Sequence, residues 1–183
     1  MAIDDNSADD RRLTEMIATI RLQRERFDVA DEIAALTRGL TDIGAVVTFT
    51  GICRADESGE PIAALHLEHY PEMAEAEIGR HVGVARSRWP LLGATVIHRH
   101  GRIAPGEDIV LVVTASSHRE AAFAAAEFLM DYLKTRAPFW KQVEKQSGKS
   151  EVKKPGVEKF WVEAKTADDE AADRWHLPED NGS

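Results

Sequence analysis

A single cysteine, Cys53, stands in a chain of 183 residues. No disulfide within the chain is therefore possible, and a reducing compartment, the cytoplasm, is expected. No apolar run approaches the roughly 20 residues that a bilayer-crossing helix needs, so no membrane association is expected. The opening stretch MAIDDNSADDRR is acidic and polar, the opposite of a secretory signal. Cations are in the minority, 23 Lys and Arg against 32 Asp and Glu, for a net charge of -9. That balance excludes a broad nucleic-acid surface, because phosphate contacts need clustered Lys and Arg. There is no internal repeat. With 43% hydrophobic and 30% charged residues, the chain is expected to form one globular domain with a proper core.

The positive charge that is present is concentrated. From Lys134 to Lys165 there are nine basic residues and four acids, so the rest of the chain is more acidic than the total suggests. A local basic patch on an acidic protein points to a small anionic ligand or an acidic protein tail. For residues 145–154 the simpler expectation is a solvated, lysine-rich loop.

Periodicity and turn chemistry outline the elements. Ile20 to Phe27 alternates as a strand. Asp28 is a good N-cap for the helix DVADEIAALTRG, which Gly39 ends. GAVVTFTG reads as a buried strand, and IAALHLEHY as its hairpin partner across the polar turn ADESGE. Pro71 opens a helix to about Arg88, stopped by Trp89-Pro90. ATVIHRHGRI and DIVLVVTAS are two strands joined by APGE. REAAFAAAEFLMDYLK is a helix capped by Ser116 or Ser117 and terminated near Pro138. FWKQVEKQ and KFWVEAK are the last strands, and the acidic tail carries a helical turn around Arg174 and Trp175. Strands and helices mix without strict alternation, which predicts a single α+β domain with a largely antiparallel sheet. Residues 1–15 are expected to be a flexible extension, 16–166 the domain, and 167–183 an acidic tail.

Several positions can carry chemistry. Gly51 lets the chain turn at the end of FTGICR, leaving Arg54 at the strand tip, where a guanidinium grips a phosphate or carboxylate in a fork. Cys53 beside it is either a nucleophile or a small buried hydrophobe. At the strand-to-helix junction SSHRE, free helix N-terminal amides together with His118 and Arg119 suit an anion. A Ser-His catalytic pair is not expected there, since no orienting acid is evident. His98 and His100 lie two apart on one strand face, without a third metal ligand at recognisable spacing. In DYLKTRAPFWKQ, Met130 and Lys134 share a helix face, and Lys141 lies beyond the Pro138 turn, able to fold back toward Lys134. Two ammonium groups held close repel, which eases release of a proton from one and suits acid-base or amine chemistry. His118 and Lys134 are 16 residues apart, about 24 Å on one helix at 1.5 Å per residue. They cannot line one small site within a single subunit. If both act, there are two sites or one site shared across a dimer.

GAVVTFTGICR, LEHYPEM, RWPLLGATVIHRHG, SSHREAAF and above all MDYLKTRAPFWK resemble the catalytic (large) subunit of molybdopterin synthase. The likeness runs in order from about Ile43 to Lys141 and resumes at Phe160 to Lys165. It implies a hammerhead-type α+β fold that forms a homodimer, with a small ubiquitin-like sulfur-carrier subunit on each protomer, making a heterotetramer. The carrier would insert a Gly-Gly tail ending in a thiocarboxylate. Two sulfurs would pass to cyclic pyranopterin monophosphate to make the molybdopterin dithiolene, a step that needs no metal or other cofactor. The sequence closes on NGS, so the Gly-Gly tail is expected on the carrier and not on this chain. By the same resemblance, Lys134 and Lys141 are the active-site lysines and Arg54 the strand-end arginine. His118 and Arg119 are contributed by the partner protomer, Phe49 and Met130 line the pocket, and Lys165 is a further basic substrate contact. The chain departs from the pattern in a lysine-rich insertion between Lys141 and Phe160. It departs again where an acid often follows the second lysine by two residues: here Val143 stands there, with Glu144 next. Two competing readings are a sulfurtransferase working through a Cys53 persulfide and a non-catalytic dimeric scaffold that binds anions.

Overall fold

The computed structural model describes residues 16–135, 137–145, 159–161 and 175. In chain order the elements are β1 (Ile17–Gln23), α1 (Val29–Thr37), β2 (Ala45–Ile52), β3 (Asp56–Glu57), β4 (Glu60–His69), α2 (Pro71–Arg88), β5 (Leu91–Arg99), β6 (Gly101–Ile103), β7 (Asp108–Ser116), α3 (Arg119–Thr135), β8 (Phe139–Lys145) and β9 (Lys159–Trp161). The expected N-terminal extension (1–15) and, apart from Trp175, the acidic tail (167–183) lie outside the described residues.

Two sheets organise the domain. The first has the order β1-β5-β7-β2, and the second runs β3-β4-β8-β9 with β6 also paired to β4. All the pairings are antiparallel except β1 with β5. The α+β, largely antiparallel expectation therefore holds.

Strands β5 and β7 are covered on both faces, which is why their sequences read as nearly continuous apolar runs. On one face Ala94, Val96, Val110 and Val112 meet Ile78, Val82 and Ala85 of α2 and Ala125, Ala126, Leu129 and Leu133 of α3. On the other, Ile97, Leu111, Val113 and Ala115 meet Leu36 of α1. The alanines of α3 let that helix approach closely, and Thr114 Oγ1 of β7 donates to the Ala122 carbonyl at 2.7 Å. A smaller core of Cys53, Ile62, Leu65, Leu67, Ile103 and Val143 lies under the second sheet.

Helix boundaries follow their signals. Asp28 caps α1 by accepting from the Ala30 and Asp31 amides, and Pro71 occupies the first turn of α2. Ser116 Oγ accepts from the His118 amide at 3.3 Å just before α3. Trp175 caps the α2–α3 face: its indole N–H donates to Asp131 at 2.6 Å, and its ring lies edge-on to Trp89 and Phe128.

The strands hold the surprises. β1 lies over Ile17–Gln23 rather than 20–27, because its limits are set by register with β5, from Ile17 opposite Gly93 to Gln23 opposite Arg99. β2 is not the hairpin partner of the following strand. It pairs with β7, Ala45 opposite Ser116 through Thr50 opposite Leu111, while β4 belongs to the other sheet. The polar turn instead makes a small hairpin of its own between β3 and β4, Glu57 opposite Glu60. Its two central residues, Ser58 at φ 56° and Gly59 at φ 85°, both have the left-handed backbone of a tight two-residue hairpin. The expected single strand ATVIHRHGRI breaks at His100–Gly101, where Gly101 has φ 81°. The break sends β6 to pair with β4 and joins the two sheets.

Candidate functional site

The strand-end arginine owes its place to a crossover between sheets. β2 has a bulge between Gly51 and Ile52. Gly51 does not turn the chain; it is needed because a Cβ there would come within 2.6 Å of Val110 Cγ1. The chain then crosses to the second sheet through Cys53, whose amide donates to the Glu107 carbonyl at 2.8 Å. Arg54 emerges next, 63% exposed along its side chain.

Lys141 approaches the same place from β8, opposite Leu67 of β4. Its Nζ donates to Glu57 Oε2 at 2.8 Å, and Arg54 Nη2 lies 3.5 Å from that same oxygen. Glu57, only 10% exposed, therefore ties two of the sequence-predicted cations together. Sequence reasoning missed it, although part of the signal was there: Ser58-Gly59 is a tight-turn pair, which sets Glu57 opposite Glu60 in a short hairpin.

The start of β8 is anchored by aromatic stacking. Phe139, two residues before Lys141, stacks on His98 with ring centroids 3.9 Å apart, and His69 covers it at 5.8 Å. His98 is buried, donates through Nδ1 to the Arg99 carbonyl at 2.9 Å, and is pushed down to about 4 by burial. Its partner in the sequence motif, His100, contacts His69 at 4.4 Å. Among the described residues no group of His, Cys, Asp and Glu is arranged to hold a metal ion. The two histidines brace the joint between the sheets.

Val143 and Glu144 have opposite fates. Val143 follows Lys141 by two residues on the same face and is buried in the smaller core. Glu144 points the other way, accepting from Arg102 Nε at 3.0 Å and contacting His66 Nε2 at 2.7 Å. Hydrogen bonds from Arg102 and then His66 hold its carboxyl down at about 2. Glu144 therefore does not stand in for an acid beside Lys141; Glu57 is the carboxylate there.

The remaining candidates are spread out. Lys134 is exposed in the last turn of α3, one turn after Met130, which is 9% exposed and packed into the main core. His118 and Arg119 sit at the opposite end of α3, an unbroken helix of 17 residues, so one subunit keeps them far from its own Lys134. Phe49 lies on β2 opposite Val112 and is 38% exposed. Lys165 and most of the lysine-rich insertion lie outside the described residues. Cys53 is 3% exposed with its Sγ–H toward the Ile103 carbonyl, and burial pushes its thiol up, partly offset by the nearby Lys141. A separate open pocket of about 380 Å3 is lined by Glu68, His69, Tyr70 and Trp140 and contains none of the predicted cations.

Fold and site together define an α+β protein that gathers cations, steadied by a buried carboxylate, where its two sheets join; such an arrangement can receive an anionic group. Comparison with known proteins makes this specific. The family model for MoaE protein matches residues 22–136. The molybdopterin synthase catalytic subunit of Mesorhizobium japonicum is 63% identical over 157 residues, covering 86% of this chain and 92% of that protein. That of Rhizobium meliloti is 56% identical over 157 residues, covering 86% and 95%. The solved molybdopterin biosynthesis MoaE protein of Burkholderia ambifaria superposes with a TM-score of 0.71 at 41% identity, covering 88% of this chain and all of that one. The chain belongs to the MoaE family.

Proposed function

We propose that this chain is the catalytic subunit of a molybdopterin synthase, moving sulfur from the thiocarboxylated C-terminus of a small carrier subunit to cyclic pyranopterin monophosphate. The observation that carries the reading is the near-full-length likeness to proteins named as that subunit, at up to 63% identity. Their name makes each one part of a larger assembly, which supports a separate carrier polypeptide as partner.

Lys134 is assigned the central role, beside the carrier's terminal acyl group. Its ammonium would stabilise the charge that develops as sulfur leaves the acyl carbon, or exchange a proton in that step. Lys141 assists and helps hold the anionic substrate. Arg54 offers a planar, multidentate donor set to the phosphate. His118 and Arg119 complete the site from a second copy of the chain, with Phe49, Met130 and Lys165 lining it. The support for a shared site is the length of α3, about 24 Å between its two functional ends, which no single subunit bridges. The reaction belongs in the cytoplasm; among the described residues no helix is long and apolar enough to cross a membrane.

Purified chain, thiocarboxylated carrier and precursor, mixed without other proteins, are expected to yield the dithiolene product. Lys134→Ala should reduce its rate at least a hundredfold while leaving carrier binding measurable. A near wild-type rate for that variant would remove Lys134 from the mechanism, and absence of product with the native chain would favour the scaffold reading. The persulfide reading is disfavoured by the burial of Cys53 and the raised position of its thiol, since the thiolate is the reactive form.

A further inference from the structure

We infer that Glu57 is a positioning residue for the transfer reaction, the internal carboxylate that holds Lys141 in place and gives it an anionic partner from a neighbouring hairpin. This rests on the assignment of Lys141 to the site. Lys141 Nζ reaches Glu57 Oε2 at 2.8 Å, the same oxygen lies 3.5 Å from Arg54, and the Glu57 side chain is nine-tenths buried. A buried carboxylate is costly unless cations and hydrogen bonds satisfy it, so its placement against two cations is specific.

The rest of the local geometry leaves this duty to Glu57. On β8, the residue that shares Lys141's face two positions on is Val143, which fills the smaller core. The next residue, Glu144, faces the opposite side and is engaged by His66 and Arg102. The hairpin supplies what β8 does not. Ser58 and Gly59, both at positive φ, turn the chain so that Glu57 pairs with Glu60 and its side chain meets β8. A lysine side chain has four rotatable carbons and is loosely held unless something fixes its end. Arg54 is the more exposed and more distant of the two cations, so loss of Glu57 acts chiefly through Lys141.

The test is steady-state kinetics of the assembled synthase with thiocarboxylated carrier and precursor, for wild type, Glu57→Gln, Glu57→Asp, Lys141→Ala and the Glu57→Gln/Lys141→Ala double variant, each checked by thermal melting. Glu57→Gln keeps the shape and removes the charge. It is expected to lower kcat tenfold or more, with any rise in KM for the precursor smaller than the fall in kcat. Glu57→Asp keeps the charge on a shorter arm and should retain more of kcat. On the Lys141→Ala background the glutamine should cost less than a further twofold, because its effect runs through the missing lysine. Three results overturn the inference: kcat of Glu57→Gln within twofold of wild type, Glu57→Asp no better than Glu57→Gln, or full multiplicative loss in the double variant. If Lys141→Ala itself turns over at the wild-type rate, the assignment of Lys141 to the site fails first. If Lys141→Ala is slow and Glu57→Gln is not, only the role of Glu57 falls.

Discussion

Replacing Glu144 by glutamine separates a structural carboxylate from a catalytic one. The side chain is 17% exposed and sits between His66 Nε2 at 2.7 Å and the Arg102 guanidinium at 3.0 Å. Its carboxyl is held at about 2 against an ordinary 4.5, a gap worth at most about 3 kcal/mol at 1.36 kcal/mol per pKa unit. Arg102 is 53% exposed, so solvent screening brings the expected contribution to about 1 kcal/mol. Because the folded value is depressed, this stability is present above the unfolded value of 4.5 and is lost as pH falls from there through about 2. Urea denaturation at pH 7 should therefore show Glu144→Gln less stable than wild type by about 1 kcal/mol, with the difference shrinking toward zero between pH 4.5 and pH 2. Synthase activity at pH 7 should stay within threefold of wild type. A stability difference that persists unchanged at pH 2 would mean that packing, not charge, was lost. A tenfold fall in kcat would mean that Glu144 serves the reaction after all.

Gly59→Val forces a β-branched residue to φ 85° and should cost about 1–3 kcal/mol of stability; by disturbing the hairpin that carries Glu57 it should also lower kcat, read by the same coupled assay. Cys53→Ala should keep at least half of wild-type activity and lose about 1–2 kcal/mol, since it trims a side chain in the smaller core; loss of turnover with an intact fold would revive the persulfide route. Leu129→Ala, at a site 1% exposed in the main core, should cost about 2–5 kcal/mol in denaturant unfolding, and a change below 1 kcal/mol would contradict the packing described.

Local chemistry made the helices legible. Asp28, Pro71, Trp89-Pro90 and the alanine-rich face of α3 each act through backbone geometry or periodicity within a few residues. The candidate cations could be named from the sequence too, because YLKTRAPFWK is a distinctive string and because helix rise alone forbids His118 and Lys134 from meeting within a subunit. Strand partners were not. GAVVTFTG and IAALHLEHY are both good strands with a polar turn between them, and nothing local says that the first joins β7 while the second joins another sheet. Nor does local sequence mark Gly101 as the hinge that divides one apparent strand into β5 and β6.

The sequence by itself determined the helices, the main strand segments, the family, and the positions that carry positive charge, since these follow from short-range periodicity and from strings read in order. The tertiary structure alone decided which acid meets which cation. Glu144 is three residues from Lys141 yet faces away from it, because side chains alternate across a strand. Glu57 is 84 residues away along the chain and touches Lys141, because a two-residue turn and the pairing of β4 with β8 bring it there. A carboxylate acts over a few ångströms of space, and distance along the chain does not measure that.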